Sequence, residues 1–338
     1  MLQTAYANPE AAVIPNFYGG DEPLPQVEDN GAPTQGGLYG APMILKPANL
    51  AIFKNVRVST DSHVFIVRPD TVAPDKLPEI TTVIRIHRSA DISVLHNALG
   101  CLAAMHNCVC IPLVTAQDFS AEQKLELDSI LADYKWKNGR EPRVMYFHST
   151  GSQDLRSKLL NEGLLAVETR YAAFLDYDDL LMNHAYDWLH GRLQTSGKAV
   201  AFGRVFATAY ESKTGRFINR TTPYEYGGSY EEFVLLNHAP LHSFLLDLEK
   251  IDLSAVEYHD EHKYMEDYYL TLQLFKSDNA DWQSLQENRY LGDYITSVDR
   301  QHTLAFSCDN ERRKILADPV YQRCESRIQK MRRKISQG

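Results

Sequence analysis

No run of about 18 apolar residues occurs in the 338-residue chain, so no segment reads as a membrane-spanning helix. Cysteine is scarce and scattered. The five thiols, Cys101, Cys108, Cys110, Cys308 and Cys324, include no second pair at zinc-finger spacing. Reduced thiols without a structural zinc are the expectation, and they suit a cytoplasmic protein. The opening "MLQTAYANPEAAVIPNF" has no basic stretch followed by an apolar one, so no secretory signal is expected. Surplus positive charge is missing as well. A net charge of -9 excludes a general nucleic-acid binder, which needs a basic surface to displace counterions. No internal repeat is visible. With 44% hydrophobic and 23% charged residues, the composition is that of an ordinary globular protein with one large domain or two modest ones.

Residues 1 to about 45 are rich in Pro, Gly and Asn and carry little periodicity, which reads as an irregular arm. "LAIFKNVRVSTDSHVFIVRP" offers two short β-like runs around a polar turn, a hairpin signal. Beyond residue 79 strand-like and helix-like segments alternate. "TTVIRIH", "VCIPLV", "RVMYFH" and "RYAAFLD" read as strands; "ISVLHNALGCLAAM", "SAEQKLELDSILADYKW" and "SQDLRSKLLNEGLLAV" read as helices. Ser120 is the expected N-cap of the second helix, with Glu122 and Gln123 in its first turn. This alternation implies an α/β fold with a mostly parallel sheet covered on both faces. Ligands in such sheets bind at the carboxyl ends of strands, near a switch in strand order.

"FLDYDDLL" crowds Asp176, Asp178 and Asp179 against the end of one of these apolar strands. Ionised carboxylates are costly to bury unless they are paired or bind a metal. Asp-x-Asp spacing in an extended segment sends the first and third side chains the same way. Two such carboxylates suit a hard divalent cation, Mg2+ or Mn2+. The other reading is a solvated turn whose acids sit near the N-terminus of a following helix, "LLMNHAYDWL". Spacing alone leaves both open.

Three segments together resemble family 2 glycosyltransferases. "KLLNEGLLAVETRYAAFLDYDDLL" is similar to the helix with N-x-G, here Asn161 to Gly163, that leads into the strand ending in the acidic motif. "YMEDYYLTLQL" resembles the Glu-Asp motif that opens a later helix, at Glu266 and Asp267, and residues 81–105 match the opening strand and helix in pattern. The resemblance covers roughly residues 80–300 and implies a GT-A (Rossmann-like) domain over 79–305. An irregular or β N-terminal extension, 1–78, precedes it, and a basic helical tail, 306–338, follows. It further implies a metal-dependent inverting transfer of one sugar from a nucleotide-diphosphate sugar to a hydroxyl of a glycan, glycolipid or other carbohydrate-containing acceptor. Asp178 is then the principal metal ligand, with Asp176 nearby and His302 as a further candidate; Asp267 is the general base and Glu266 orients the acceptor. His87, Arg88, Asp118, Lys158, Asn161 and Asp176 are the candidates for donor contact, with Arg156 beside Lys158.

Two departures stand out. The first strand lacks the family's usual Pro and Asn, and the second ends with Asp118 alone where paired acids are usual. Absence of Q-x-x-R-W argues against processive synthesis. A nucleotidyltransferase usually carries a Gly-rich loop with Lys after the first strand, and "HRSADIS" has neither. A non-catalytic carbohydrate-binding protein is the alternative from another class. Tyr224, Tyr226 and Tyr230 form a candidate acceptor loop, or pack as partial core. The tail from residue 311 holds nine Lys or Arg against three Asp or Glu. It reads either as a solvated helix or as a peripheral contact with an anionic membrane carrying a lipid-linked acceptor.

Overall fold

The computed structural model describes residues 77–297, apart from 152, 212–215, 224–227, 261 and 288, then 309–337, and four short strands before residue 77. Those strands, β1 (Gln26–Asp29), β2 (Ala32–Pro33), β3 (Arg57–Thr60) and β4 (His63–Ile66), form an antiparallel sheet in the order β2-β1-β3-β4. β3 and β4 pair as the hairpin that their sequence suggests.

The central sheet follows from apolar runs too long to leave one face in water. β5 (Glu79–His87) is buried along most of its length, and β6 (Val109–Gln117) is buried at every position. Pro112 cannot donate to a ladder, and β7 (Arg143–Phe147) pairs with β6 only from Leu113 onward. The order is β14-β10-β13-β8-β5-β6-β7, with β8 (Tyr171–Phe174), β10 (Val200–Phe202), β13 (Phe244–Asp247) and β14 (Ala280–Asp281) completing it. Only β13 runs antiparallel to its neighbours. The α/β architecture with a mostly parallel sheet is therefore the one the sequence suggests.

Helices α1 (Leu95–Ala103), α2 (Ala121–Ala132) and α3 (Arg156–Leu165) are the crossovers between β5, β6, β7 and β8. Ser120 caps α2 through a reciprocal capping box with Gln123. Gly163 lets α3 lie flat on the sheet, because a Cβ there would come 2.4 Å from Val83 Cγ1. The chain steps from β5 outward to β7, then returns to put β8 on the other flank of β5. That reversal opens a crevice at the carboxyl ends of β5 and β8.

One expectation needs correcting. No helix follows the acidic segment directly: Leu180–Leu181 form β9, antiparallel to β15 (Tyr290–Ser297), and α4 (Ala185–Ser196) begins later. With β11 (Arg204–Glu211) and β12 (Arg216–Pro223) these strands build a second sheet, β12-β11-β15-β9. The acids lie in a tight turn between the two sheets, closed by the Asp179 N–H donating to the Asp176 carbonyl at 3.1 Å, so the extended Asp-x-Asp geometry expected from the spacing is not adopted and the helix-dipole reading falls away as well.

The remaining helices are α5 (Tyr230–Leu235), α6 (Glu266–Leu274), α7 (Asp309–Leu316) and α8 (Pro319–Gln337). The thin apolar stripe of α8 is its docking face. Cys324 and Ile328 are buried, and Ile328 and Met331 join the core around Phe233 and Tyr268. Burying each such side chain contributes roughly 1.5–3 kcal/mol. This face is spent on the protein, which leaves only the outer basic face for any membrane. No described helix is long and apolar enough to cross a bilayer. Cys101, Cys108, Cys110 and Cys324 are free thiols; Cys308 lies outside the described residues.

Candidate active site

The two acidic motifs meet on one guanidinium. Parallel pairing sets Val83 opposite Phe174, so two residues further along each chain Arg85 comes beside Asp176. Arg85 Nε and Nη2 donate to Asp176 Oδ1 and Oδ2, both at 2.9 Å, and Nη1 donates to Glu266 Oε1 at 2.8 Å. Burial works against the Arg85 charge, but Asp176 and Glu266 outweigh it and the net shift is upward. The fork is the geometry in which Arg binds a carboxylate most strongly. Sequence reasoning missed Arg85, whose only signal was a basic residue in an otherwise apolar strand.

The three acids of "DYDD" have separate fates. Asp179 is buried, accepts the Ile295 N–H at 2.8 Å and faces His242 Nδ1 at 3.1 Å. Burial raises its pKa, and His242 opposes the shift. Asp178 is half-buried and, among the described residues, has no partner for its carboxylate on another residue. Burial and the charges of Asp179 and Asp176 push its pKa well above the usual range. Tyr177 stands edge-on to His87, ring centres 6.0 Å apart, across the crevice mouth.

Asp267 stands one residue beyond the Arg85-bound Glu266, in the first turn of α6. Its Oδ1 accepts the Tyr268 N–H at 2.7 Å, and Asn237 Nδ2 donates to Oδ2 at 3.3 Å. Burial, then the Glu266 charge, raises its pKa to about 6 despite Arg85. Met265, just before α6, adopts a left-handed backbone with φ 57°. Such a conformation in a non-glycine residue is costly and concentrates at functional sites.

The other candidates are distributed unevenly. His87 and Arg88 lie at the carboxyl end of β5, where His87 keeps solvent contact yet is partly desolvated by its neighbours; that desolvation, then the nearby Arg156 charge, lowers its pKa. Arg156, on the first turn of α3, binds Asp154 at 2.9 Å, and its carbonyl lies 3.5 Å from Arg85 Nη1. Asp118, at the end of β6, is occupied: Oδ1 accepts the Ser149 N–H at 2.7 Å and Oδ2 the Ser149 hydroxyl at 2.6 Å. Lys158 reaches Asp260 at 3.9 Å. Asn161 is buried, and its Nδ2 has no hydrogen-bond partner among the described residues. His302, Tyr224 and Tyr226 lie outside the described residues. Tyr230 packs by its ring on Trp282, centres 5.7 Å apart. Among the described residues no group of three or more His, Cys, Asp or Glu side chains is arranged to hold a metal ion.

No family model matches the sequence, and no curated protein does. Solved structures of TarS from S. aureus are similar in part. The 1–349 fragment is 13% identical with a TM-score of 0.43, over 64% of this chain and 60% of that one. Its complex with UDP is 13% identical with a TM-score of 0.46, over 65% and 61%. Its complex with UDP-GlcNAc is 13% identical with a TM-score of 0.47, over 75% and 71%. The chain thus spans about three-fifths of the length of the first two. At that distance the likeness does not reach chemistry, which rests on the site.

Proposed function

We propose that the chain is a metal-dependent, inverting glycosyltransferase that moves one sugar from a nucleotide-diphosphate sugar to a hydroxyl of a carbohydrate-containing acceptor. The observation that carries this reading is Arg85, which ties Asp176 of the first acidic motif to Glu266 of the second. Asp178, whose pKa burial and two neighbouring acids raise against the Arg85 charge, and Asp267, with a pKa of about 6, flank this link. The crevice at the strand-order switch is where an open α/β sheet takes its ligand.

The acids fit a divalent cation. Asp178 is raised by burial and by two neighbouring acids, the situation a bound cation would relieve. Each Asp176 oxygen accepts one Arg85 bond, which leaves a second lone pair for a metal. Mg2+ is commonly held by one or two carboxylates plus substrate phosphates. Mn2+ or Mg2+ on Asp178 and Asp176 would supply Lewis-acid stabilisation of the departing diphosphate.

The chain's own residues do the rest. His87 and Arg88 face the donor from the end of β5. Arg85 fixes Glu266, and through it the first turn of α6. Asp267 takes the acceptor hydroxyl proton as the oxygen forms its bond to C1 and the C1–diphosphate bond breaks. A pKa near 6 suits a base that must be ionised yet still accept a proton at neutral pH. One displacement inverts the anomeric centre.

A thermal-shift and donor-hydrolysis panel of nucleoside-diphosphate sugars, with and without Mn2+, tests the reading. At 100 times its Kd a ligand stabilises by about 2.7 kcal/mol. One donor is expected to stabilise the wild type only with Mn2+, and Asp178→Ala is expected to lose that increment with its fold intact. Equal binding with and without metal would remove the metal assignment. Binding without any turnover would favour the carbohydrate-binding alternative.

A further inference from the structure

Helix α5 ends in the carbonyls of Phe233, Val234 and Leu235, at the point where a helix runs out of its own donors. Two side chains from other helices answer them. The Tyr268 hydroxyl, on α6, shares its proton between Phe233 O at 2.7 Å and Val234 O at 2.8 Å. Arg332 Nη2, on α8, donates to Leu235 O at 2.6 Å and to the Tyr268 hydroxyl oxygen at 3.2 Å. Its guanidinium carbon lies 5.4 Å from the centre of the Tyr268 ring. Tyr268 is the residue after Asp267. At its other end α8 grips the chain before Asp267: the Tyr264 hydroxyl donates at 2.9 Å to Asp318 Oδ2, immediately ahead of α8.

Hydrogen bonds rather than burial hold the turn that follows α5, because Leu235 and Leu236 are 71% and 58% exposed. Two residues beyond Leu235, Asn237 Nδ2 donates to Asp267 Oδ2 at 3.3 Å, and Asn237 Oδ1 accepts the Ala239 N–H at 3.2 Å. The hold of Arg332 on the Leu235 carbonyl therefore sets where Asn237 meets the carboxylate. That contact is already long, and a small drift of the turn breaks it. A carboxylate released from Asn237 is free to turn away from the acceptor, and misplacement by about 1 Å costs about 100-fold in rate.

We propose that Arg332 is a positioning residue for Asp267, acting through the Leu235 carbonyl and Asn237. The general-base role of Asp267 rests on the glycosyltransferase reading; the network that reaches it does not. This also recasts the basic C-terminal helix: α8 holds α6 on both sides of Asp267, through Tyr264 and Tyr268, and one of its cations serves the site.

Steady-state transfer kinetics of the full chain test this with Arg332→Met, Asn237→Ala and the double variant. Arg332→Met is expected to lower kcat by about tenfold or more with the donor KM unchanged. Asn237→Ala should do the same, and the double variant should be no slower than the worse single one, because both changes break one path. Donation from Asn237 favours the ionised carboxylate, so its loss should also move the acid limb of the kcat profile to higher pH. The other charged side chains bearing on Asp267, Glu266, Arg85 and Asp176, are left in place. A merely structural Arg332 would lower the urea midpoint and leave kcat and the acid limb of the folded enzyme alone. Arg332→Gln, a milder polar change, should read the same as Arg332→Met and keeps the test open if the methionine variant misfolds. Wild-type kcat and acid limb in a folded Arg332 variant, or losses that multiply in the double variant, overturn the proposal. That result with Mn2+-dependent donor hydrolysis intact removes the Arg332 role alone. A wild type that turns over no donor removes the transferase reading, and this role with it.

Discussion

Asp267→Asn is expected to make the protein more stable at neutral pH while disabling it. The folded structure raises this carboxyl from 3.8 to about 6. Each pK unit corresponds to about 1.4 kcal/mol, so ionised Asp267 costs the fold about 3 kcal/mol. Between pH 4 and 6 the folded chain keeps a proton that the unfolded chain has lost. Stability therefore falls as pH rises through that window, and the full cost is borne above it. Asparagine keeps the shape and can still accept the Tyr268 N–H, but its amide cannot accept from Asn237. Losing that long bond forfeits about 1 kcal/mol, which leaves a net gain of about 2 kcal/mol at pH 7.5. Base catalysis contributes about 10²–10⁴-fold, so kcat should fall by that factor with donor affinity nearly unchanged. Urea unfolding of both proteins at pH 4.5, 6 and 7.5, beside transfer assays, provides the check. A variant less stable than wild type at pH 7.5, or the same pH slope in both, would refute the argument.

Other perturbations probe the frame around the base. Arg85→Lys keeps the charge but loses the fork to Asp176 and the reach to Glu266; about 1–3 kcal/mol of stability and most Mn2+-dependent donor binding should go. A midpoint in urea unchanged within error would show that Arg85 is not the link. Gly292→Ala places a Cβ 2.0 Å from the Leu180 carbonyl oxygen, so β9 must shift and carry Asp179 with it. A loss of at least about 1–3 kcal/mol is expected, with activity falling in step, and a variant of unchanged midpoint and activity would contradict the close packing. NMR of the first product should show the anomeric configuration opposite to the donor's; retention would exclude single displacement even if Asp267 proved essential.

Alternation of apolar strands and amphipathic helices was legible along the chain, and so was the Ser120 cap, because both depend on local pattern. The acidic segment and Glu266–Asp267 were legible as motifs, since charge at the edge of an apolar run is conspicuous. Their link was not. Arg85 reaches Asp176 only through the parallel register of β5 with β8, a long-range fact that no window of sequence contains. His242 comes to Asp179 from a short turn before β13, equally out of sequence reach. "LLMNHAYDWL" looked wholly helical because Leu180 and Leu181 suit a helix; pairing with β15 at Gly292 overrides that preference. The tail's surplus of Lys and Arg reads as a solvated helix or a membrane contact, yet Cys324, Ile328 and Met331 recur at helical spacing and are buried.

Charge balance connects these pieces. Arg85 faces Asp176 and Glu266, Arg156 faces Asp154 and Glu266, and Asp178, Asp179 and Asp267 crowd around them. The acids outnumber these guanidiniums, and besides Asp179, which faces His242, the members with raised pKa values are Asp178 and Asp267. Those two lie on opposite arms of the Arg85 link, one in each motif. A purely structural salt-bridge network would be expected to balance its buried charge, because an unpaired buried carboxylate costs several kcal/mol. Here the imbalance is retained, and divided. In the proposed reaction each deficit has its own use: one awaits a cation with the departing diphosphate, the other a proton from the acceptor. Arg85 joins the two motifs by holding Asp176 of one and Glu266 of the other.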